Sequence, residues 1–265
     1  MMAATSSTKA NRLAALARLR RHPDAGTCRD GYSRDYRRIE EFHDRYYDQH
    51  DWVSPWTLSA CNVDSDLMIV GQDWASEDFL LKDPDPKIRQ FGHDPALATN
   101  KNLKRLLQEA FGRRFEDTFA TNAFAFAKPG GMNRRLPTAD LILSATRFAL
   151  KEVEIVRSRM VICLGIGTLN AIRAALNLRL LKLEAIDYTG PAVTYCGSEV
   201  HGVPHVGTRG LSATGGYSRS LEIWKTLAAR LGCAGASFAD IGEKGMDHDG
   251  NHVELIRALI QDLTI

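Results

Sequence analysis

The sequence predicts an α/β fold with three layers, α/β/α, built on a short and mainly parallel central sheet. Short apolar runs that stop at a glycine or a polar residue are typical of buried strands, and most of these runs are followed by a segment with helical spacing. Strands that alternate with helices form parallel sheets with helices on both faces. Ligands of such sheets bind beyond the carboxyl ends of the strands.

The elements of the central domain, expected over residues 61–232, follow this alternation. The first strand is DLMIVG, and the amphipathic segment KNLKRLLQEAF, which Gly112 should cap, precedes the second strand, DTFATNAFAF. After the loop AKPGGMNRRLP, a long helix should run from Pro137 to about Arg157. The remaining elements in chain order are the strand MVICLG, the helix TLNAIRAAL, the late strands AVTYCG and HGVPHVG, the glycine-rich loop TRGLSATGGYSRS and the helix LEIWKTLAARLG.

Helical segments are expected on both sides of this domain. Residues 1–60 should form a helical N-terminal extension, because residues 9–22 have leucines at helical spacing and residues 34–50 show a charged, aromatic helical pattern. Residues 233–265 should form a helical tail packed on the domain, since an asparagine and a glutamate there have capping-box spacing.

The composition is that of an ordinary globular protein. The chain has 265 residues, 44% hydrophobic and 25% charged, which suffices for one sizeable domain with appendages. The net charge of only +2 means that an anionic partner must be bound by local basic patches. The five cysteines lack a C-x-x-C pair, which argues against a zinc finger or a disulfide framework and fits a reducing compartment.

The sequence also indicates where in the cell the protein is expected. No apolar run approaches the roughly 20 residues needed to cross a bilayer, so we expect a cytoplasmic protein without a membrane partner. The first 22 residues contain five basic residues and no acid. Organellar targeting therefore stays open beside the simpler interpretation of a frayed basic helix.

Polar residues mark the ends of three predicted strands. Gln72 and Asp73 follow the first, Asn122 lies near the end of the second, and His205 lies near the end of a late strand. Because the carboxyl ends of parallel strands share one edge of the sheet, we expect these side chains to converge on one pocket. The simpler alternatives are a helix cap for Asp73, a backbone contact for Asn122 and packing for His205.

The segments around these residues resemble the sequence motifs of the uracil-DNA glycosylase superfamily. Residues 71–75 read Gly-Gln-Asp-Trp-Ala and are similar to that family's first motif, Gly-Gln-Asp-Pro-Tyr. Asn122 in FATNAF resembles the family's strand that ends in asparagine, and His205 in PHVGTRGLS resembles its late His-Pro-Ser-Pro motif. The ordered set spans about residues 65 to 230.

The resemblance implies hydrolysis of the N-glycosidic bond of a flipped-out uracil in DNA, which leaves an abasic site. Asp73 is implied to be the catalytic anion that stabilises the sugar cation and orients water, and His205 the donor to uracil O2. The residues implied to bind the base are Gln72, Trp74, Phe91 and Asn122.

Each of these base-binding residues has its own implied role. Phe91, 12 residues before Leu103, holds the place of the family's stacking phenylalanine, and core packing is its alternative. The amide of Asn122 would pair with N3–H and O4 of uracil, and Gln72 would line the site. Trp74 and Ala75 replace the proline and the tyrosine of the family motif, so Trp74 would fill the space of the ring that excludes thymine.

The DNA contacts are implied to come from two loops, with uracil-containing DNA of a bacterial-type nucleoid as partner and the protein acting as a monomer. Arginines would neutralise phosphates, and Arg209 or Leu211 would fill the vacated stack, while solvated surface charge is the alternative. The residues assigned to DNA are Lys128, Arg134, Thr208, Arg209, Leu211 and Arg219.

No cofactor is expected. The four cysteine ligands of the family's iron–sulfur branches are missing, and the acidic and histidine residues of MDHDGNHVE lack calcium-loop spacing. Strand cleavage is also not expected, because no lysine stands at a motif position to form a Schiff base.

Two other functions stay open. GIGTLN, Gly165 to Asn170, is close to a dinucleotide-binding turn, and Glu184 lies 19 residues beyond Gly165, although a plain strand–turn–helix junction explains the turn as well. A nucleic-acid-binding protein without glycosylase activity is the other alternative. It would require neither Asp73 nor Asn122.

Overall fold

A computed structural model describes residues 2–48, 51–182, 185–188 and 190–233. Its centre is a five-stranded sheet in the order β2-β1-β3-β5-β4, in which β4 is antiparallel to β5 and every other pair is parallel. Helices flank the sheet, so the predicted fold class is confirmed. The strands are Leu67–Asp73 (β1), Phe119–Phe124 (β2), Met160–Leu164 (β3), Val193–Tyr195 (β4) and Ser198–Val203 (β5).

Helices precede β1, connect β1 to β2, β2 to β3 and β3 to β4, and follow β5, and in the described chain two helical stretches contain a π-helical segment. One such segment, Leu107–Phe111, extends α4, and the other, Ala145–Ala149, joins α5 to α6, so the helix expected from Pro137 to about Arg157 is present. Gly112 ends the first of these in the left-handed conformation, as expected. The α-helices are Met2–Arg20 (α1), Glu77–Leu80 (α2), Pro86–Phe91 (α3), Ala98–Leu106 (α4), Thr138–Ser144 (α5), Leu150–Val156 (α6), Ile166–Ala175 (α7), Thr208–Ala213 (α8) and Tyr217–Leu231 (α9).

The central strands are buried on both faces, which explains why their sequences are continuously apolar. Alternate side chains of β1 enter different cores. Met68 and Val70 pack in the core that contains α5 to α7, whereas Leu67 and Ile69 pack in the core that contains α4 and α9. The sheet therefore forms the middle layer, and its carboxyl edge carries the ends of β1, β2, β3 and β5.

The prediction of a helix over residues 34–50 is wrong. Within this segment, the described residues form a 3-10 turn at Ile39–Glu41 followed by isolated hydrogen-bonded turns, and His43, Asp44 and Arg45 have positive φ angles of 48°, 50° and 65°. The aromatic side chains explain the difference, because Tyr36 and others at irregular spacing are buried against the domain. Tertiary burial outweighs the local helical preference here.

Two further expectations need correction near the end of the domain. The glycine-rich loop TRGLSATGGYSRS contains a short helix, α8, and α9 begins inside it at Tyr217. The late strand expected at HGVPHVG begins earlier, at Ser198, and ends at Val203. His205 therefore lies in the connection that follows β5.

The N-terminal segment shares its core with the sheet. Leu13 and Leu16 of α1 pack in the same apolar cluster as β1 and β2, and the fully buried guanidinium of Arg20 binds Glu40 at 3.0 Å and Asp48 at 2.6 Å. The expected C-terminal helix, the sequence MDHDGNHVE and Glu184 lie outside the described residues. In the described part of the chain, each helix is too short or too polar to span a membrane.

Candidate functional site

A cavity of about 340 Å³ lies at the carboxyl edge of the sheet. Its walls come from the end of β1, from the segments after β2 and β5, and from the region around α3 and α4. A volume of this size is within the range of small-molecule pockets. The side chains that matter most for its chemistry are Trp56, Asp73, Trp74, His93, Lys128 and His205.

Asp73, the last residue of β1, is ion-paired. Its Oδ1 lies 3.0 Å from Lys128 Nζ, and its Oδ2 accepts a 3.2 Å hydrogen bond from Gln72 Nε2. The two charged side chains are nearly buried, at 7% exposure for Asp73 and 5% for Lys128. Lys128 also donates a 2.6 Å hydrogen bond to the Met132 carbonyl. The carboxylate is thus held in one orientation at the cavity wall.

Lys128 was expected to contact DNA phosphates, and its placement differs from that expectation. The chain after β2 continues beside the chain after β1. There the Lys128 N–H donates to the Ala75 carbonyl at 3.0 Å, and the Lys128 carbonyl accepts from the Glu77 N–H at 2.8 Å. This pairing turns the lysine side chain inward to Asp73. A buried, paired ammonium group is not presented to a phosphate on the surface.

His205 follows β5 and holds its imidazole in one tautomer. The Gly207 backbone N–H donates to His205 Nδ1 at 3.0 Å, so Nδ1 carries a lone pair and the proton of the neutral ring is on Nε2. His205 reaches solvent through the cavity, yet desolvation by the surrounding protein lowers its pKa. Asp73 opposes this shift and Lys128 adds to it. The ring is therefore a neutral Nε2–H donor.

In the connection between β5 and α8, the backbone at Gly207 and Gly210 packs directly against His205. A Cβ atom at Gly210 would overlap the carbonyl oxygen of His205, and one at Gly207 would lie 2.9 Å from the His205 ring. Only glycine fits at these two positions of the β5–α8 turn without displacing the histidine.

Asn122 does not line the cavity, although the sequence suggested a direct contact with the base. It is 1% exposed, and its Oδ1 accepts a 2.6 Å hydrogen bond from Ser54 Oγ. A Cβ at Gly71 would lie 2.6 Å from Asn122 Nδ2, so the amide packs against Gly71, which lines the cavity. The amide acceptor expected to pair with uracil is therefore occupied, and Nδ2 has no protein partner.

The aromatic walls also differ from the expectation. Phe91 ends α3 outside the cavity lining, with its ring 6.2 Å from that of His93. Trp74 does line the cavity and is fixed by a 2.8 Å hydrogen bond from Nε1 to the Gly92 carbonyl. Sequence reasoning missed Trp56 and His93, because neither stands in a motif and Trp56 was assigned to the N-terminal extension.

His93 is held neutral. It is buried, its Nδ1–H donates to the Phe91 carbonyl at 2.8 Å, and burial lowers its pKa to about 4, with the charge of Lys104 adding to the shift. It therefore offers an uncharged ring to the cavity wall, of which Trp56 also forms part.

Two exposed apolar side chains lie at the rim of the cavity. Leu97 and Met132, both in the lining, are large side chains with 48% and 46% exposure. Leu211, which was expected to fill the vacated stack, is instead buried in α8 and is not available at the surface. Apart from Lys128 and Leu211, the residues assigned to DNA are exposed. Arg134 lies two residues after Met132, Thr208 and Arg209 follow His205, and Arg219 is paired with Glu222 at 3.0 Å.

The sequence GIGTLN forms the first turns of α7, with Gly165 at the position just before the helix. Gly165 has a φ of 90°, and a Cβ at Gly167 would lie 2.9 Å from Gln72 Oε1, so Gln72 covers this glycine. Asn170 is bonded to the backbone of Leu181. The contacts are those of a strand–turn–helix junction. Among the described residues, no three metal-ligating side chains cluster.

Comparison with models of known protein families found no match, and a search of curated proteins found no relative.

Proposed function

We propose that this chain is a DNA glycosylase that hydrolyses the N-glycosidic bond of uracil and leaves an abasic site. The observation that carries this proposal is the meeting of the Asp73 carboxylate and the neutral His205 Nε2–H donor in one cavity. One group ends β1 and the other lies in the connection after β5, more than a hundred residues later in the sequence.

The pair suits the charges that develop in the reaction. As the bond breaks, the sugar becomes cationic and the base anionic, so a negative group is needed near C1′ and a donor at the base oxygen. Asp73 supplies the negative charge and a site to orient water, and the Nε2–H of His205 supplies the donor. Lys128 and Gln72 fix the carboxylate in place, although the ammonium charge offsets part of its field.

The walls suit a planar base. Trp56, Trp74 and His93 offer uncharged ring surfaces in the cavity, and aromatic faces bind unpaired bases by stacking. These side chains take over the stacking role that the sequence had suggested for Phe91. Asn122 packs against the lining residue Gly71, and its amide oxygen, which accepts from Ser54, does not contact the base.

The mouth suits entry of a nucleotide from a DNA strand. Apolar side chains such as leucine and methionine can insert between stacked bases when a nucleotide leaves the helix, and Leu97 and Met132 stand at the rim. Arg134 and Arg209, close to the rim in sequence, supply positive charge for phosphates.

Oligonucleotides that carry one uracil, thymine, hypoxanthine or xanthine test the proposal directly. We expect the wild-type protein to release uracil and to leave a site that alkali cleaves, and the same assay on single and double strands gives its preference. Binding of uracil-containing DNA without release of any base would instead support the alternative, a non-catalytic nucleic-acid-binding protein.

The pH dependence of uracil release should report His205. The neutral ring is the form that accepts from Gly207 and donates through Nε2, and its lowered pKa keeps that form dominant at neutral pH. Activity should therefore hold a plateau near neutrality and fall only below the ordinary histidine value of 6.5 as the ring gains a proton. Initial rates from about pH 5 to about pH 8 measure this.

Two variants complete that experiment. His205→Asn keeps a hydrogen-bond donor without a titrating ring. We expect the rate to fall by about 100-fold or more, because the aligned donor is lost. The control His22→Asn, at an exposed histidine outside the cavity lining, should keep the wild-type profile. A wild-type rate that rises on acidification would show that a charged ring is the active form and would contradict the assignment.

A further inference from the structure

Lys128 places a primary amine inside the cavity. Among the described residues it is the only lysine in the cavity lining, and its Nζ bonds to Asp73 and to the Met132 carbonyl. The role expected for it in phosphate binding does not use this position. Lysine amines form Schiff bases with carbonyl substrates, and an adjacent general base, here the Asp73 carboxylate, can take the proton that the reaction requires the amine to lose.

The abasic product of the proposed reaction has such a carbonyl. Opening of the deoxyribose ring converts C1′ to an aldehyde, and C1′ lies near Asp73 if Asp73 acts on the sugar. Lys128 Nζ is 3.0 Å from Asp73 Oδ1, so the amine shares that location.

We infer that Lys128 forms an imine with C1′ of an abasic deoxyribose and cleaves the DNA strand by β-elimination. The inference extends the proposed function, on which the location of the sugar rests. It also replaces the sequence-based expectation of hydrolysis alone, because the fold supplies the lysine that no motif contains.

The step balances with the groups present. Asp73 takes one proton from the ammonium group, Nζ attacks C1′, a proton moves from nitrogen to the new oxygen, and Asp73 returns its proton as the hydroxyl leaves as water. The product is an iminium ion. Asp73 then accepts the C2′ proton, the C3′–O bond breaks, and the phosphate leaves with the electron pair. One water molecule hydrolyses the imine and restores the lysine, so no oxidant or reductant is consumed.

Borohydride trapping on preformed abasic DNA tests the inference without requiring base removal. Wild-type protein, a duplex with one abasic site and sodium borohydride should give a covalent adduct, and peptide mapping should find it on Lys128. Lys128→Arg should lose the adduct, because a guanidinium does not form the imine. The matched control Lys101→Arg, an exposed lysine on α4 next to the lining residue Asn100, should keep it.

The outcomes separate this inference from the glycosylase proposal. Absence of a wild-type adduct, or an adduct on another amine, overturns the role of Lys128 even if uracil is released. An adduct at Lys128 without uracil release supports the lyase step and counts against the glycosylase. Mapping in the wild-type protein keeps the test decisive if Lys128→Arg fails to fold.

Discussion

Replacing Asp73 with asparagine is expected to lower the rate of uracil release by about 100-fold or more, because the anion opposite the developing sugar cation is lost. The substitution also leaves Lys128 buried without its counter-ion. Removing one partner of a buried ion pair destabilises proteins by about 3 to 5 kcal/mol. Single-turnover assays on a uracil-containing oligonucleotide and denaturant unfolding measure the two effects separately.

A second substitution distinguishes catalysis from stability. Adding Lys128→Met to Asp73→Asn removes the uncompensated charge, so we expect most of the stability to return while activity stays low. The nearby, exposed Asp78→Asn should change neither property. Wild-type activity in the stable double variant would mean that Asp73 has a structural role only.

Stability should fall as pH rises because of Glu152, a fully buried carboxyl group in α6. Desolvation raises its pKa from 4.5 to about 8, and the hydrogen bond from Thr121 Oγ1, at 2.7 Å, offsets only part of the shift. Below 4.5 both folded and unfolded states are protonated, so the stabilisation from a neutral Glu152 is complete. It is lost progressively as pH rises through about 8, at about 1.4 kcal/mol per pH unit.

Glu152→Gln removes this titration. Between about pH 5.5 and about pH 7.5 the wild-type free energy of unfolding should lose about 3 kcal/mol more than that of the variant. The wild type is compared with the variant because other groups also titrate. His93 and His201 have lowered pKa values, so their contribution to the free energy of unfolding increases as pH rises, opposite to that of Glu152.

Urea unfolding at the two pH values measures the difference. The exposed Glu116→Gln serves as the matched control and should leave the wild-type pH dependence intact. Equal slopes in wild type and Glu152→Gln would mean that Glu152 ionises in the folded protein without penalty.

Much of the fold could be predicted because its signals are local. The strands at Leu67–Asp73, Phe119–Phe124 and Met160–Leu164 are continuous apolar runs, and burial on both faces requires such runs. The segment over 34–50 failed because its aromatic side chains are buried by distant parts of the chain, including the contact of Tyr36 with Phe124 at 4.9 Å between ring centroids. A local pattern does not encode that partner.

The site was predictable only in part. Asp73, Trp74 and His205 were found from motifs at strand ends, and all three line the cavity. Asn122 and Phe91 also stand in motif positions, but neither lines the cavity, and the amide oxygen of Asn122 accepts from Ser54 instead. Trp56 and His93 carried no motif that could have revealed them.

The sequence by itself determined the alternation of strands and helices, and with it a parallel sheet whose carboxyl edge carries Asp73 and leads to His205. Only the tertiary structure decided which groups meet these residues. Lys128 reaches Asp73 because the backbone after β2 pairs with the backbone after β1, a contact between segments more than fifty residues apart. Strand formation depends on side-chain patterns over a few residues, whereas the partner of a buried charge depends on how distant segments pack.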